Sequence, residues 1–396
     1  MEKGHGLFKF ALILFVLIMS DSNIIDLRHE IHQQPEVSNH ETETARRIVE
    51  FMTPFHPDKI ISLGTTGKAF VFEGEKKGKT IMFRAELDAL PIKETNSLEY
   101  ASKNQNVAHS CGHDGHMAIL AGTAQKVTEN RPAKGNVVFL FQPAEEVEQG
   151  ARDVVEDPAF KKINPDYVFA LHNIPGERKN KILLKNGTFA AASKGMTVTL
   201  TGKTAHAAEP ENGISPAKAI AQMIEQLDQL IQNKKLFSDL ALLTIIHIRM
   251  GEVSFGTTPG YADVMITLRA FENDDMELLT QKTESIVRHI ASEERLSCEI
   301  SYTEIFPAVV NDEKSVQMLE KAARENGLEY VYLKTPFRWS EDFSYFTQKY
   351  KGAYFGLGSG IHQPSLHNSD FDFPDEIIES GVKMFYSIYQ NLMLKS

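Results

Sequence analysis

The feature that most constrains this chain is the alternation of short apolar runs with helix-patterned segments. Runs at 69–72, 80–83, 137–141 and 167–171 are rich in Val, Phe, Ile and Leu and too short for helices, so they read as strands. Segments 24–33, 41–52, 116–128 and 144–155 carry helical apolar spacing, with Pro35 separating the first two. Continuous apolar strands interleaved with helices predict an α/β sheet covered on both faces. The middle of the chain changes character. Segment 196–201 alternates like a half-buried strand, and 215–231 is an amphipathic helix with Ile220, Met223, Ile224, Leu227 and Ile231 on one face. Strands at 242–248 and 264–270, a helix at 275–292 and a strand at 296–305 follow. That order, β-α-β-β-α-β, is a ferredoxin-like α+β unit. The expectation is a discontinuous α/β domain, 23–192 and 305–396, interrupted by an inserted domain at 193–304 and ending in a helix at 375–392. A length of 396 residues agrees, because it exceeds what one core usually holds.

Residues 10–19 (FALILFVLIM) are ten apolar residues in a row, with Lys3 and Lys9 before them. This run is short for a bilayer span but suits the apolar region of a signal peptide. Segment 1–22 therefore stands outside the fold, as a cleaved export signal, a retained anchor, or an extension from a misassigned start. A real signal implies an exported or periplasmic protein, or a membrane-anchored one; otherwise the protein is cytoplasmic. Two cysteines, Cys111 and Cys298, exclude a disulfide scaffold. A formal net charge of −11 argues against a nucleic-acid partner and against anionic membrane surfaces.

Chemistry concentrates at His109-Ser-Cys-Gly-His-Asp-Gly-His116. A thiol, imidazoles and a carboxylate within eight residues suit a borderline-soft divalent cation. Cys111 and His113 are two apart and can face one centre from a loop. Glu145 and Glu146 follow the strand at 137–141, where α/β folds place their sites. His172 ends the strand at 167–171, His367 lies in a loop before the last helix, and Asp88 follows another strand. Taken singly, each of these suits an ordinary structural role. Together, ligands from separate loops exceed the four that a mononuclear structural site needs. With a spare carboxylate, they fit a two-metal hydrolytic centre.

These segments in order, with 84–91, 170–172, 202–210 (GKTAHAAEP), 340–343 and 366–367, resemble the aminoacylase and carboxypeptidase-G-like metallopeptidases. The similarity is to the branch of hippurate hydrolases and plant auxin-conjugate amidohydrolases, from about residue 24 to 390. The resemblance implies a catalytic α/β domain interrupted by a lid and dimerisation domain. It implies that Cys111, His113, Glu146, His172 and His367 hold two divalent ions per subunit, Zn²⁺ or Mn²⁺, with Glu145 as general base. His206 in the insert would stabilise the oxyanion in the partner's site, so a homodimer through the lid is implied. Arg269 would bind the substrate carboxylate. The implied substrate is an N-acyl amino acid, or alternatively a dipeptide or other short peptide. One departure is Gly256, where the family carries asparagine in an Asn-x-x-Pro motif. The remaining histidines, His29 and His32 among them, read as surface or packing residues, and His109 and His116 as groups that orient the ligands.

Overall fold

The computed structural model describes residues 24–394. Among these the chain forms two units, 24–187 with 311–334 and 345–394, and 188–310 with 335–344. The apolar run at 10–19 lies outside the described residues; within them no helix is long and apolar enough to cross a membrane.

The larger unit opens with α1 (24–33), α2 (Thr42–Met52), β1 (Lys59–Leu63), β2 (Gly67–Glu73) and β3 (Lys76–Glu86). Next come α3 (His113–Glu129), β4 (Lys134–Gln142), α4 (Gly150–Glu156), α5 (Pro158–Ile163), β5 (Tyr167–Pro175) and β6 (Ile182–Leu184), after which β7 (Gly187–Ala190) leads into the smaller unit. The smaller unit holds β8 (Ala192–Thr201), β9 (Ala205–His206), α6 (Ala217–Gln232), β10 (Ala241–Met250), β11 (Thr257–Thr258), β12 (Tyr261–Ala270), α7 (Asn273–Glu293) and β13 (Ser297–Phe306). The chain then runs through β14 (Val309–Asn311), α8 (Glu313–Glu325), β15 (Tyr330–Tyr332), α9 (Ser344–Thr347), β16 (Lys351–Gly360) and α10 (Ile378–Tyr389).

The apolar runs become the middle of an eight-stranded sheet in the order β1-β2-β4-β3-β5-β16-β6-β15. Strands β4, β3, β5 and β16 are mutually parallel, which explains why their residues are apolar without alternation: both faces are buried. Phe83 is fully buried in β3, with ring centroids 5.9 Å from Phe139, 6.0 Å from Phe169 and 4.9 Å from Phe385. Parallel pairing matters for the site, because it brings the carboxyl ends of β3, β4 and β5 to one edge.

The smaller unit has its own four-stranded sheet, β10-β12-β8-β13, antiparallel throughout. Its core joins β8 and β12 to one face each of α6 and α7, through residues such as Val198, Ile266, Met223 and Val287. This is the ferredoxin-like order. β10 is an edge strand with a bulge at Ile246, between Ile245 and His247.

One expected element starts late. The helix expected over 144–155 begins only at Gly150. Ala144 and Glu148 have φ of 52° and 64°, in the left-handed region, so the chain turns twice before it can wind. Those turns shape the loop that carries Glu145 and Glu146.

Candidate metal centre

Six of the residues singled out by type and position converge at the carboxyl edge of the larger unit's sheet. One ligand atom each from Cys111, His113 and His172 lie within 4.8 Å of one another; so do those of Cys111, Glu146 and His367, and those of His113, Glu145 and Glu146. His113 opens α3, His172 lies near the end of β5, and the glutamates follow β4.

Both buried imidazoles are aimed. His113 Nδ1 donates to the Asp88 carbonyl (2.9 Å), and His172 Nδ1 donates to the Asn173 carbonyl (2.8 Å). That fixes the tautomer and turns each Nε2 lone pair inward. His113 Nε2 is buried without a hydrogen-bond partner, 3.8 Å from Glu145 Oε2 and 3.9 Å from Glu146 Oε1. His172 Nε2 lies 3.4 Å from Cys111 Sγ. Gly112 makes this approach possible: its φ is +96°, and a Cβ there would sit 2.4 Å from Asn173 Oδ1.

The electrostatics are those of a site that concentrates negative charge. Burial alone would lower the His113 pKa, but the carboxylates of Glu86, Asp88 and Glu146 outweigh it and push it up to about 10. Burial, followed by the nearby Glu146 and Glu145, holds the Cys111 thiol well above its ordinary value. Burial, reinforced by His116, keeps His172 neutral, which is the form a ligand needs.

The acidic loop is fastened from below. Glu41 is fully buried; its Oε1 accepts from the backbone N–H of Ala144 (2.8 Å) and Asn39 (2.9 Å), and its Oε2 from Thr66 Oγ1 (2.9 Å). The first of these bonds holds Ala144 in its left-handed conformation. Asp88 Oδ2 accepts from the Glu146 N–H (2.9 Å) and from Ser38 Oγ (2.7 Å). His367 is also left-handed (φ 65°); its N–H donates to the Ser110 carbonyl (2.8 Å), which sets its Nε2 3.6 Å from Glu146 Oε2.

A buried polar lock lies behind α3. Arg28 pairs through Nε with Asp114 (2.9 Å), through Nη1 with Asp375 (2.6 Å) and through Nη2 with Asp372. His32 sits between Asp114 (2.8 Å) and Glu94 (3.3 Å). The expectation that His32 is a surface or packing residue gives way to this: it is a buried ionic partner of the residue that follows His113. His116 bridges Glu86 Oε2 (2.8 Å) and Asn173 Oδ1 (2.7 Å), so it is occupied as a support.

His206 and Arg269 belong to the smaller unit. β9 pairs with β11, placing His206 opposite Thr257. His206 is exposed; the Ala208 N–H donates to its Nδ1 (3.1 Å), which leaves the proton on an outward Nε2. Arg269 Nη1 donates to the Arg338 carbonyl (2.9 Å) and Ser340 Oγ (3.0 Å). Gly256 has no positive φ and open space where a Cβ would stand, so the backbone does not require glycine there.

A family model for peptidase family M20/M25/M40 matches residues 82–391. The chain belongs to that family. It is a hydrolase acting on amide bonds. Hippurate hydrolase of Campylobacter jejuni is 31% identical over 373 residues, 93% of this chain and 95% of that one. The Bacillus subtilis YXEP protein, described as a dinuclear metal binding peptidase from the M20 family, is 26% identical with a TM-score of 0.81, over 95% of this chain and 99% of its own. A crystal structure from methicillin-resistant Staphylococcus aureus shares the fold at a TM-score of 0.87 and 24% identity, over 95% and 98%. For an M20 member, the donor set above is a chemical fit to borderline divalent cations: a thiol, inward-facing imidazole nitrogens and carboxylates in one buried cluster.

The buried lock generates a pH prediction. Burial by itself would lower the His32 pKa, but Asp114 and Glu94 outweigh it and raise it from 6.5 to about 9. A folded value above the unfolded one means the stabilisation is complete below pH 6.5 and fades as pH rises through about 9. His32→Gln should therefore melt several degrees below wild type at pH 6, with the gap narrowing at pH 10. Equal gaps at both pH values in thermal unfolding would contradict the assignment.

Proposed function

We propose that this hydrolase cleaves N-acyl amino acids to a carboxylate and a free amino acid. The observation that carries the reading is the convergence of Cys111, His113, Glu146, His172 and His367 beside Glu145. In this reading the five hold two divalent ions, in keeping with the dinuclear metal binding of the YXEP protein. Once bound, such ions lower the pKa of a water towards neutrality and polarise an amide carbonyl. Glu145 takes the proton from the attacking water and delivers it to the leaving nitrogen. It is next in sequence to Glu146, and the hydrogen bonds from Ala144 N–H to Glu41 and from Glu146 N–H to Asp88 support this role by fastening the loop that carries both.

His206 supplies its Nε2–H to the oxyanion of the tetrahedral intermediate. Arg269, already oriented by Arg338 and Ser340, offers its guanidinium to the free carboxylate of the substrate. The similarity to a hippurate hydrolase supports an acyl amino acid, since hippurate is one. The larger unit is then the catalytic domain and the smaller one the lid.

A homodimer through the lid follows from the same reading. The edge strand β10 exposes Ile246, Ile248 and Met250, an apolar edge of the kind that pairs with a second copy. His206, exposed on the same unit, would serve the partner's site.

Glu145→Gln should lower turnover of N-benzoylglycine at least a hundredfold, a loss on the order expected for a general base, while metal content stays near wild type. Retained turnover would remove Glu145 from its role. Ile246→Lys should shift the protein from dimer to monomer in size-exclusion chromatography with light scattering, and hydrolysis should fall with it. A fully active monomer would sink the idea of a trans-acting His206.

A further inference from the structure

The smaller unit contains a cavity of about 640 Å³ that the hydrolytic reading does not use. It lies where the end of α6 meets the start of β10, and its volume is in the range of small-molecule sites. Ile231, Phe237, Leu242 and Phe271 give it apolar walls. Lys234 and Arg338 stand exposed at its rim, and among the described residues neither side chain makes an ion pair or a hydrogen bond. The acid on its wall is engaged: Asp239 accepts from the Leu240 N–H (2.7 Å). The wall is built rather than loose. Asp275, buried beneath it, accepts from the N–H of Ser238 and of Asp239 (both 3.0 Å) and from Ser238 Oγ (2.7 Å). Apolar walls with two exposed cations at the rim are complementary to one chemistry, an apolar body with an anionic head.

We propose that this cavity, whose lining includes none of the residues of the metal centre, is a binding site for an amphiphilic monocarboxylate. The tail packs against Phe237, Leu242 and Phe271, and the carboxylate faces Lys234 and Arg338. Phosphate or another small anion fills only the charged part and leaves the apolar walls wet. An alcohol of the same length fills the walls and leaves both cations unanswered. The site has an internal reporter. Trp339, the chain's single tryptophan, follows Arg338 and stacks on Phe337 with centroids 4.8 Å apart.

The test titrates the full chain with octanoate and, in parallel, with octan-1-ol and inorganic phosphate, following Trp339 emission. The expected result is a saturable change with octanoate at a dissociation constant at least tenfold below that of octanol, and no change with phosphate. The double variant Lys234→Ala/Arg338→Ala should lose at least tenfold in octanoate affinity. Leu242→Gln should weaken octanoate and octanol alike. Circular dichroism identical to wild type checks that both variants fold. Equal responses to octanoate and octanol, or a double variant that binds octanoate like wild type, would overturn the proposal.

Discussion

The burden that organises the larger unit is negative charge in a place without water. Glu86 and Asp88 are fully buried, and Glu145 nearly so, around one point at the carboxyl edge of the sheet. Buried carboxylates are costly unless something positive or hydrogen-bonding answers them. Much of the surrounding structure is that answer. Arg84 and His116 hold Glu86 well below the ordinary carboxylate range against its desolvation. His113, the Glu146 N–H and Ser38 hold Asp88 down in the same way. What these groups leave unanswered is a pocket of inward-facing donors, including His113 Nε2. Divalent ions are the charge that such a pocket suits.

The same logic extends outward in layers. Asp114 follows His113 and is itself buried, so Arg28 and His32 close over it and tie α1 to the start of α3 and to the 372–375 loop. Glu41 does the equivalent for the acidic loop, at the cost of a carboxyl pushed up by its burial. Backbone strain at Ala144 and His367 persists because these anchors over-determine it. The geometry of the donor cluster is thus set by residues outside it.

The residues proposed as ligands are legible in the sequence, and their supports are obscure. Cys111, His113 and His172 show themselves by type and by their place at strand ends. The parallel sheet and the ferredoxin-like insert show themselves by the length and spacing of apolar runs. Arg28 and Glu41 give no such signal: each is a charged residue in or beside a short helix, and its partners lie 86 and 103 positions away. The late start of α4 is hidden because the left-handed residues are Ala144 and Glu148, neither a glycine. Only the fold, by bringing Glu41 under Ala144, explains that turn. Gly256 stands the other way round. It is a glycine that the backbone does not need, and nothing in the fold explains it.

The central claim is that five side chains from four separate segments of the chain act together as one ligand set. Metal stoichiometry tests it most directly. The full chain, stripped with chelator and dialysed against Zn²⁺ or Mn²⁺, should rebind two ions per chain by elemental analysis, and His113→Ala should reduce that number. One ion or none in the wild type, or two ions undisturbed in His113→Ala, would contradict the account.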